Sequence, residues 1–441
     1  MVTLDGTVRR DQSSTLPKSN NTFYYPSVSG NFVFSKLMPD VQWLSYGKLY
    51  ANYAQVGGDA PYYSVYNSYA LNTPLNGQAV ISNATILPNQ GLVPESNKTW
   101  EAGLELSFLN SRIGADIGYY HEISNHEILP TNVSQATGYV SYSVNGGEIQ
   151  NQGIEATLDL VPVKNRKFIW DMKINWSKNF NKVLSLYGGQ SSYAVANLQN
   201  SIQIVAEVGK PYGIIRGTDY KYLNGQRVIT DAGYFEQNAN PLSDIGSIQP
   251  SWIGGIENSF TLGQWTLGFL IDVHQGGTVY SLDMDYGSFS GLYPRTAGFN
   301  DLGNPVRAPL ANGGGIILKG VTEDGKPNTT RIEENLGDGS YTFGSLGSGA
   351  ETNRQFVYNA SFIKLREAGI TYAIPQKALE GLHSIKGIDL ALSGRNLWII
   401  HKDEPYADPE QGQSAGNGSV GFQNGAYPSM RTLNFILKVK F

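Results

Sequence analysis

Apolar side chains fall on every second position over long parts of this chain. Trp100, Ala102, Leu104, Leu106 and Phe108 alternate with Glu101, Gly103, Glu105 and Ser107. After Asn110-Ser111 the pattern resumes as Ile113, Ala115, Ile117 and Tyr119, set against Arg112, Gly114, Asp116 and Gly118. Period two is the period of a strand with one greasy face and one wet face. Two such runs of roughly 10–12 residues around a tight turn predict a hairpin long enough to cross a membrane. The last residues, Met430 to Phe441, repeat the design: Leu433, Phe435, Leu437, Val439 and Phe441 share one parity. A bare apolar edge strand is a hazard for a soluble protein. A closed transmembrane barrel instead needs a last strand that pairs with the first and shows lipid an apolar face. The residues alone leave open the final strand of a soluble sheet.

The same rhythm predicts strands elsewhere. Val2–Arg10 alternates weakly, Tyr25–Leu37 reads as a second strand with a turn at Pro39-Asp40, and Ser45–Val56 as a third. Residues 57–97 show little period and read as one long loop. Ile154–Leu160 leads past Pro162 into Phe168–Trp176, and Trp252–Phe260 turns at Gly263-Gln264 into Trp265–Val273. Phe356–Ile374 reads as one longer strand whose apolar parity slips at Arg366-Glu367, the mark of a bulge. Ile388–Ile400 and Leu433–Phe441 complete the set. Short connections near 110, 163, 263 and 380 alternate with long ones at 57–97, 124–151, 179–250, 276–355 and 401–429. Outer-membrane barrels show this two-sided rhythm, with short turns on one side and long loops on the other. The expected fold class is therefore all-β: a transmembrane antiparallel β-barrel of about twelve strands, or fourteen if 201–225 holds a pair. Trp100, Trp170, Trp176, Trp252 and Trp265 lie on the apolar parity near strand ends, as an interfacial girdle requires. Core packing is the plainer reading of the same residues.

Composition sharpens this picture. Of 441 residues, 40% are hydrophobic, only 16% are charged, and 27 are Tyr and 51 Gly. The absence of cysteine excludes a disulfide scaffold and thiolate metal sites. A net charge of −5 gives no sign of nucleic-acid binding. No stretch approaches the ~18 apolar residues of a membrane helix. The amino-terminus lacks the basic and apolar regions of a signal peptide, so an exported protein would need a longer precursor.

Motifs for chemistry are missing. There is no nucleophile elbow, Walker loop, zincin helix or dinucleotide fingerprint. The stretch Gly337–Gly349 lacks the Gly-Lys-Ser/Thr ending of a phosphate loop. The five histidines, 121, 126, 274, 383 and 401, have no metal-site spacing. Glu323-Asp324 and Asp403 to Glu410 carry carboxylates suited to calcium, but not at EF-hand spacing. Solvated loops explain them as well. Tyr62, Tyr63, Tyr66 and Tyr69 cluster in one loop, where rings could stack on a ligand or on each other. Asp272 and His274 sit on the polar parity and are candidates for a lumen wall. No enzyme activity and no cofactor is expected.

Several segments resemble the carboxy-terminal half of the SusC/RagA-type TonB-dependent transporters of Bacteroidetes. They are Tyr25-Pro26-Ser27-Val28-Ser29, Trp43 to Leu49 with Gln55-Val56-Gly57, Lys98 to Leu104, and Asn151-Gln152-Gly153-Ile154-Glu155. Val208 to Gly213, Gly394-Arg395-Asn396-Leu397-Trp398, Asp408-Pro409-Glu410 and Tyr427 to Arg431 follow in the same order. The resemblance implies part of a 22-stranded barrel whose plug and first half lie outside residues 1–441. It implies outer-membrane import of oligosaccharides or peptides, driven by the TonB complex through that plug. It also implies a SusD-like surface lipoprotein over the mouth, and lipid around the wall. The terminal Leu433, Phe435, Leu437, Val439 and Phe441 resemble the assembly signal read by the insertion machinery. A rival reading is a β-rich surface adhesin or carbohydrate-binding module that transports nothing. A barrel enzyme ranks below both, for want of a nucleophile–base pair.

Overall fold

The computed structural model describes residues 1–240, 242–333, 352–381, 384–412 and 420–441. The Gly337–Gly349 stretch and His383 lie outside these. A single antiparallel sheet of twelve strands runs through the molecule, with each strand beside its sequence neighbour within the wall. The strands are β1 (Val2–Gln12), β2 (Thr22–Val33), β3 (Leu44–Gly58), β4 (Glu95–Phe108), β5 (Ile113–Asn125) and β6 (Glu148–Lys164). They continue as β7 (Phe168–Ser185), β8 (Pro250–Leu262), β9 (Trp265–Gly276), β10 (Phe362–Ala373), β11 (Gly387–Lys402) and β12 (Thr432–Lys440).

Register converts the sequence alternation into two continuous faces. Leu106, Ala115, Leu158, Ile174, Ile256, Ile271 and Leu365 are successive partners across β4 to β10. One residue along, Lys48, Glu105, Asp116, Thr157, Asn175, Gly255, Asp272 and Lys364 form the neighbouring row from β3 to β10. Because strand side chains alternate, the first row and the second lie on opposite faces. The apolar face is uncovered: Leu49 is 49% exposed, Ile117 49%, Leu267 47% and Leu392 53%. Among the described residues no second sheet buries it. Aromatic pairs mark its two margins. Trp100 meets Tyr119 and His121 at one end, at 5.2 and 5.6 Å between ring centroids. Trp43 stacks on Phe108, Trp170 on Phe260, and Trp265 meets Tyr372 toward the other. Trp100 and Phe108 are separated by roughly 26 Å of strand, or about 20 Å of height at barrel tilt, close to the ~25 Å apolar band of outer-membrane barrels.

Four expectations change. Residues 57–97 are not one featureless loop: Tyr69–Leu75 pairs with Gln78–Asn83 as a projecting hairpin. The 201–225 pair exists, as Gln203–Glu207 and Ile214–Gly217, but joins a separate four-stranded sheet, so the wall has twelve strands rather than fourteen. The Phe356–Ile374 run breaks at Ala360-Ser361. Its first part, Val357–Asn359, pairs with Thr278–Ser281 away from the wall. The second strand ends at Val33, and Phe34–Leu37 coils into a 3₁₀ turn. The tight turn at Asn110-Ser111 is present, with Leu109, Asn110 and Ser111 at φ of 53°, 56° and 60°.

The main buried core belongs to the loops and lies off the wall. Ile202, Ile204, Ile215, Ile245, Tyr280, Leu282, Met284, Phe356 and Phe422 pack together from three different long connections. A helix, α1 (Leu282–Phe289), starts there, capped by Ser281 Oγ accepting from the Met284 amide.

Candidate functional site

The parity slip at Arg366 has a structural consequence. The β10–β11 register shifts between Leu365 and Glu367, so the strand holds an extra residue at that point. The bulge directs Arg366 to the polar side, beside Lys364. There the segment between β11 and β12 folds back over the polar face. Arg366 donates two parallel hydrogen bonds to Glu410, at 2.8 and 2.7 Å, and a third to Asn396 Oδ1 at 3.1 Å. It also pairs with Asp272. The Lys364 ammonium, its side chain 3% exposed, donates to Asp408 Oδ1 at 2.5 Å and Glu410 Oε2 at 2.6 Å. Asp408 Oδ2 accepts from the Ser429 amide at 2.8 Å. Asp408-Pro409-Glu410 is thus a latch that closes on two wall cations. Charge-assisted bonds of this kind are short and directional. Burial pushes both carboxyl groups up, but the hydrogen bonds from Lys364, Ser429 and Arg366 outweigh it and hold each at about 2.

Beside the latch, Glu404 has the opposite fate. It is fully buried and neither carboxylate oxygen has a hydrogen-bond partner. Burial, reinforced by Asp283 and Asp408 and partly offset by Lys402, raises it to about 8. A cavity of about 260 Å³ opens nearby, lined by Ser281, Asp283, Tyr293, Tyr406, Asp408 and Gln411 among others. Tyr293 and Tyr406 stack across it at 4.8 Å. A second cavity of about 290 Å³ shares Tyr406 and Asp408 and adds Lys364, Lys402 and Arg431. The surrounding frame is polar and tied across the chain: Gln423 donates to Gln411 at 2.8 Å, and Tyr280 donates to Asp285 at 2.6 Å.

The candidate residues fall in separate places. Asp272 belongs to the Arg366 cluster. His274 lies one pleat along, stacked on Phe362 at 5.4 Å. Tyr62, Tyr63, Tyr66 and Tyr69 stand far out in solvent, at 79%, 67%, 55% and 66% exposure. They rise from a small base of Leu16, Ala60, Val65 and Leu92. Tyr62 and Tyr63 meet edge-on at 5.5 Å, which leaves most of both rings free. No hydrogen bond or ring contact joins these tyrosines to Asp272 or His274 among the described residues. Leu433, Phe435, Leu437 and Val439 pair with Gly394, Leu392, Leu390 and Ile388, and Phe441 follows just past the strand end. No group of three or more His, Asp or Glu is arranged for a metal among the described residues. Several acids of these runs are instead paired with cations: Glu323 with Lys221, Asp324 with Lys326, Asp408 with Lys364. Sequence reading missed Lys364 and the Tyr293–Tyr406 pair, took Arg366 only as the place of a bulge, and saw Glu404 only as one carboxylate of a candidate calcium run. The slipped parity at Arg366 and the acidic run at 403–410 were the signals that pointed toward them.

The sequence profile described as TonB dependent receptor-like, beta-barrel matches residues 1–397. The chain belongs to that family of outer-membrane β-barrels. Within it, the receptor barrel is of the SusC/RagA type. It is 26% identical to TonB-dependent receptor P26 of Formosa agariphila, over 100% of this chain and 44% of that protein. It is 29% identical to TonB-dependent receptor SusC of Bacteroides thetaiotaomicron, over 99% of this chain and 42% of that one. The RagAB peptide importer in its closed-closed state shares the fold, with a TM-score of 0.75 at 20% identity, over 100% of this chain and 46% of that one. The chain therefore spans under half the length of the relatives it matches. Those relatives are named as receptors, not enzymes.

Proposed function

We propose that residues 1–441 form the carboxy-terminal wall and loops of an outer-membrane nutrient importer. The plug and the first half of the barrel would lie outside these residues. Together they would import oligosaccharides or peptides with energy from the TonB complex, under a SusD-like lipoprotein. One observation carries the reading: the apolar face is bare across the sheet, while the opposite, polar face is the one the β11–β12 segment covers. A soluble sheet would cover the apolar face, because burying apolar area is what stabilises it. The RagAB relative is named for peptides, and the family resemblance supports glycans and peptides equally. In this reading the exposed Tyr62, Tyr63, Tyr66 and Tyr69 are ligand contacts at the long-loop side. Asp272 and His274 belong to the lumen wall. Leu433 to Phe441 guide assembly. Selection would come from stacking and hydrogen bonding, without covalent chemistry.

The test is uptake and partition. The receptor expressed in its natural polypeptide should enter the outer membrane, resist extraction by salt, and show heat-modifiable mobility on electrophoresis. Tyr62→Ala with Tyr63→Ala should weaken capture of fluorescent peptides or oligosaccharides without changing that mobility. A protein that stays monomeric and soluble without detergent would overturn the reading.

A further inference from the structure

Lysines stand on both faces of the wall. On the polar face, Lys48 pairs with Glu105, Lys173 with Asp159, and Lys364 with Asp408 and Glu410. On the apolar face, Lys98, Lys178 and Lys182 have no carboxylate partner among the described residues. Register places them. Trp100, His121, Gln152 and Phe180 are successive partners across β4 to β7, and form the aromatic margin. Immediately beyond, on the long-loop side, Lys98, Ile123, Gln150 and Lys182 form the next row of the same face. Lys98 and Lys182 are therefore roughly 14 Å apart, three strand spacings. Lys178 lies on the membrane side of the margin but reaches over the Phe180 ring, its ammonium 4.8 Å from the ring centroid. Long basic side chains at such a margin extend toward the headgroups.

From this placement, and resting on the membrane reading above, we infer that Lys98, Lys178 and Lys182 form a binding surface for a phosphorylated lipid of the leaflet on the long-loop side. Its acyl chains would lie on the bare Ile117 and Ile154 surface, which is 49% and 41% exposed. Its phosphates would meet the row of unpaired ammonium groups, with the Gln150 amide between. Glu101, Glu105, Asp116, Glu155 and Asp159 occupy the opposite parity; Glu148, two residues beyond Gln150 on β6, shares the lysine parity, and the row of Lys98, Gln150 and Lys182 lies between it and the apolar surface. Opposite charge, aromatic margin and apolar surface coincide on one patch, which is the chemistry of a lipid headgroup rather than of a soluble anion.

The test uses the receptor in its natural polypeptide, purified in mild detergent, with retained lipid read by native mass spectrometry. The probes are bisphosphorylated lipid A, the same lipid after phosphatase treatment, and inorganic phosphate. The wild type should retain the bisphosphorylated lipid above the other two. The triple variant K98Q/K178Q/K182Q should bind it roughly 100-fold more weakly, at about tenfold or less per lysine. The triple Lys→Arg variant and K173Q on the polar face should both bind like the wild type. Equal retention of the phosphatase-treated lipid, an unaffected triple Gln variant, or loss in the triple Arg variant would each overturn the lipid site. Heat-modifiable mobility monitors folding of every variant. Its absence in the wild type would overturn the barrel reading itself, which separates the two failures.

Discussion

Ile174 and Ile204 are both strand isoleucines, yet they meet opposite surroundings. Ile174 sits in the wall's apolar row between Leu158 and Ile256, on a face that no second sheet covers among the described residues. Ile204 is fully buried in a cluster assembled from three long connections. In the wall, hydrogen bonding between neighbours in sequence sets the structure, and the apolar side chains point away from the molecule. In the loop module, apolar side chains converge as they would in a soluble domain. The comparison teaches that this chain uses two solvents: hydrocarbon for the wall and water for the loops. A hydrophobic residue is therefore stabilising for different reasons in each.

The sharpest way to break the comparison is at the junction where loop meets wall. Lys364→Met leaves Asp408 buried and Glu410 half-buried with less compensation and should cost ~3–5 kcal/mol locally. Limited proteolysis should then cut residues 403–431 while the wall stays intact. Next comes the wall itself. Ile174→Arg places a charge on the bare face and should cost ~2–4 kcal/mol in refolding into lipid, whereas Thr157→Arg on the polar face should cost little. If both substitutions are equally tolerated, the two faces are not distinct.

Smaller effects separate the carboxylates. Glu404 is raised to about 8 by burial, above the ~4.3 of an unfolded glutamate. The folded state then holds more protons, so loop stability should fall as pH rises from about 4.3 to 8. Glu404→Gln should flatten that slope in a protease-protection assay across pH. Asp408 and Glu410 behave in the opposite sense. Their contribution is present above about 4 and is lost as pH drops toward about 2, so the latch should open only in strong acid. The smallest change is expected at Tyr66→Ala, where an exposed ring should alter stability by less than ~0.5 kcal/mol while ligand capture falls.

Much of the wall was legible beforehand. The 100–119 hairpin, the strands at 168–176 and 252–273, and the terminal strand all follow from period two, because pairing there joins sequence neighbours. The bulge at Arg366 was legible too, as a slip in parity. What Arg366 grips was not, since Glu410 and Asp272 are 44 and 94 residues away. The Tyr69–Asn83 hairpin escaped notice for another reason. Each residue of Tyr69–Leu75 is exposed, so no buried face imposes an alternation to read.

The amino-acid pattern by itself determined the class of the molecule: alternating strands, short turns against long loops, one oily face and one wet face. Those properties are local, since a strand's period and a turn's length are written within about a dozen residues. Only the tertiary structure decided that the long loops share a core, that two wall cations latch Asp408 and Glu410, and that Glu404 is buried without a partner. Such contacts join residues far apart along the chain. No short-range rule encodes which carboxylate meets which cation, and burial together with the partners met there sets how each one holds its proton.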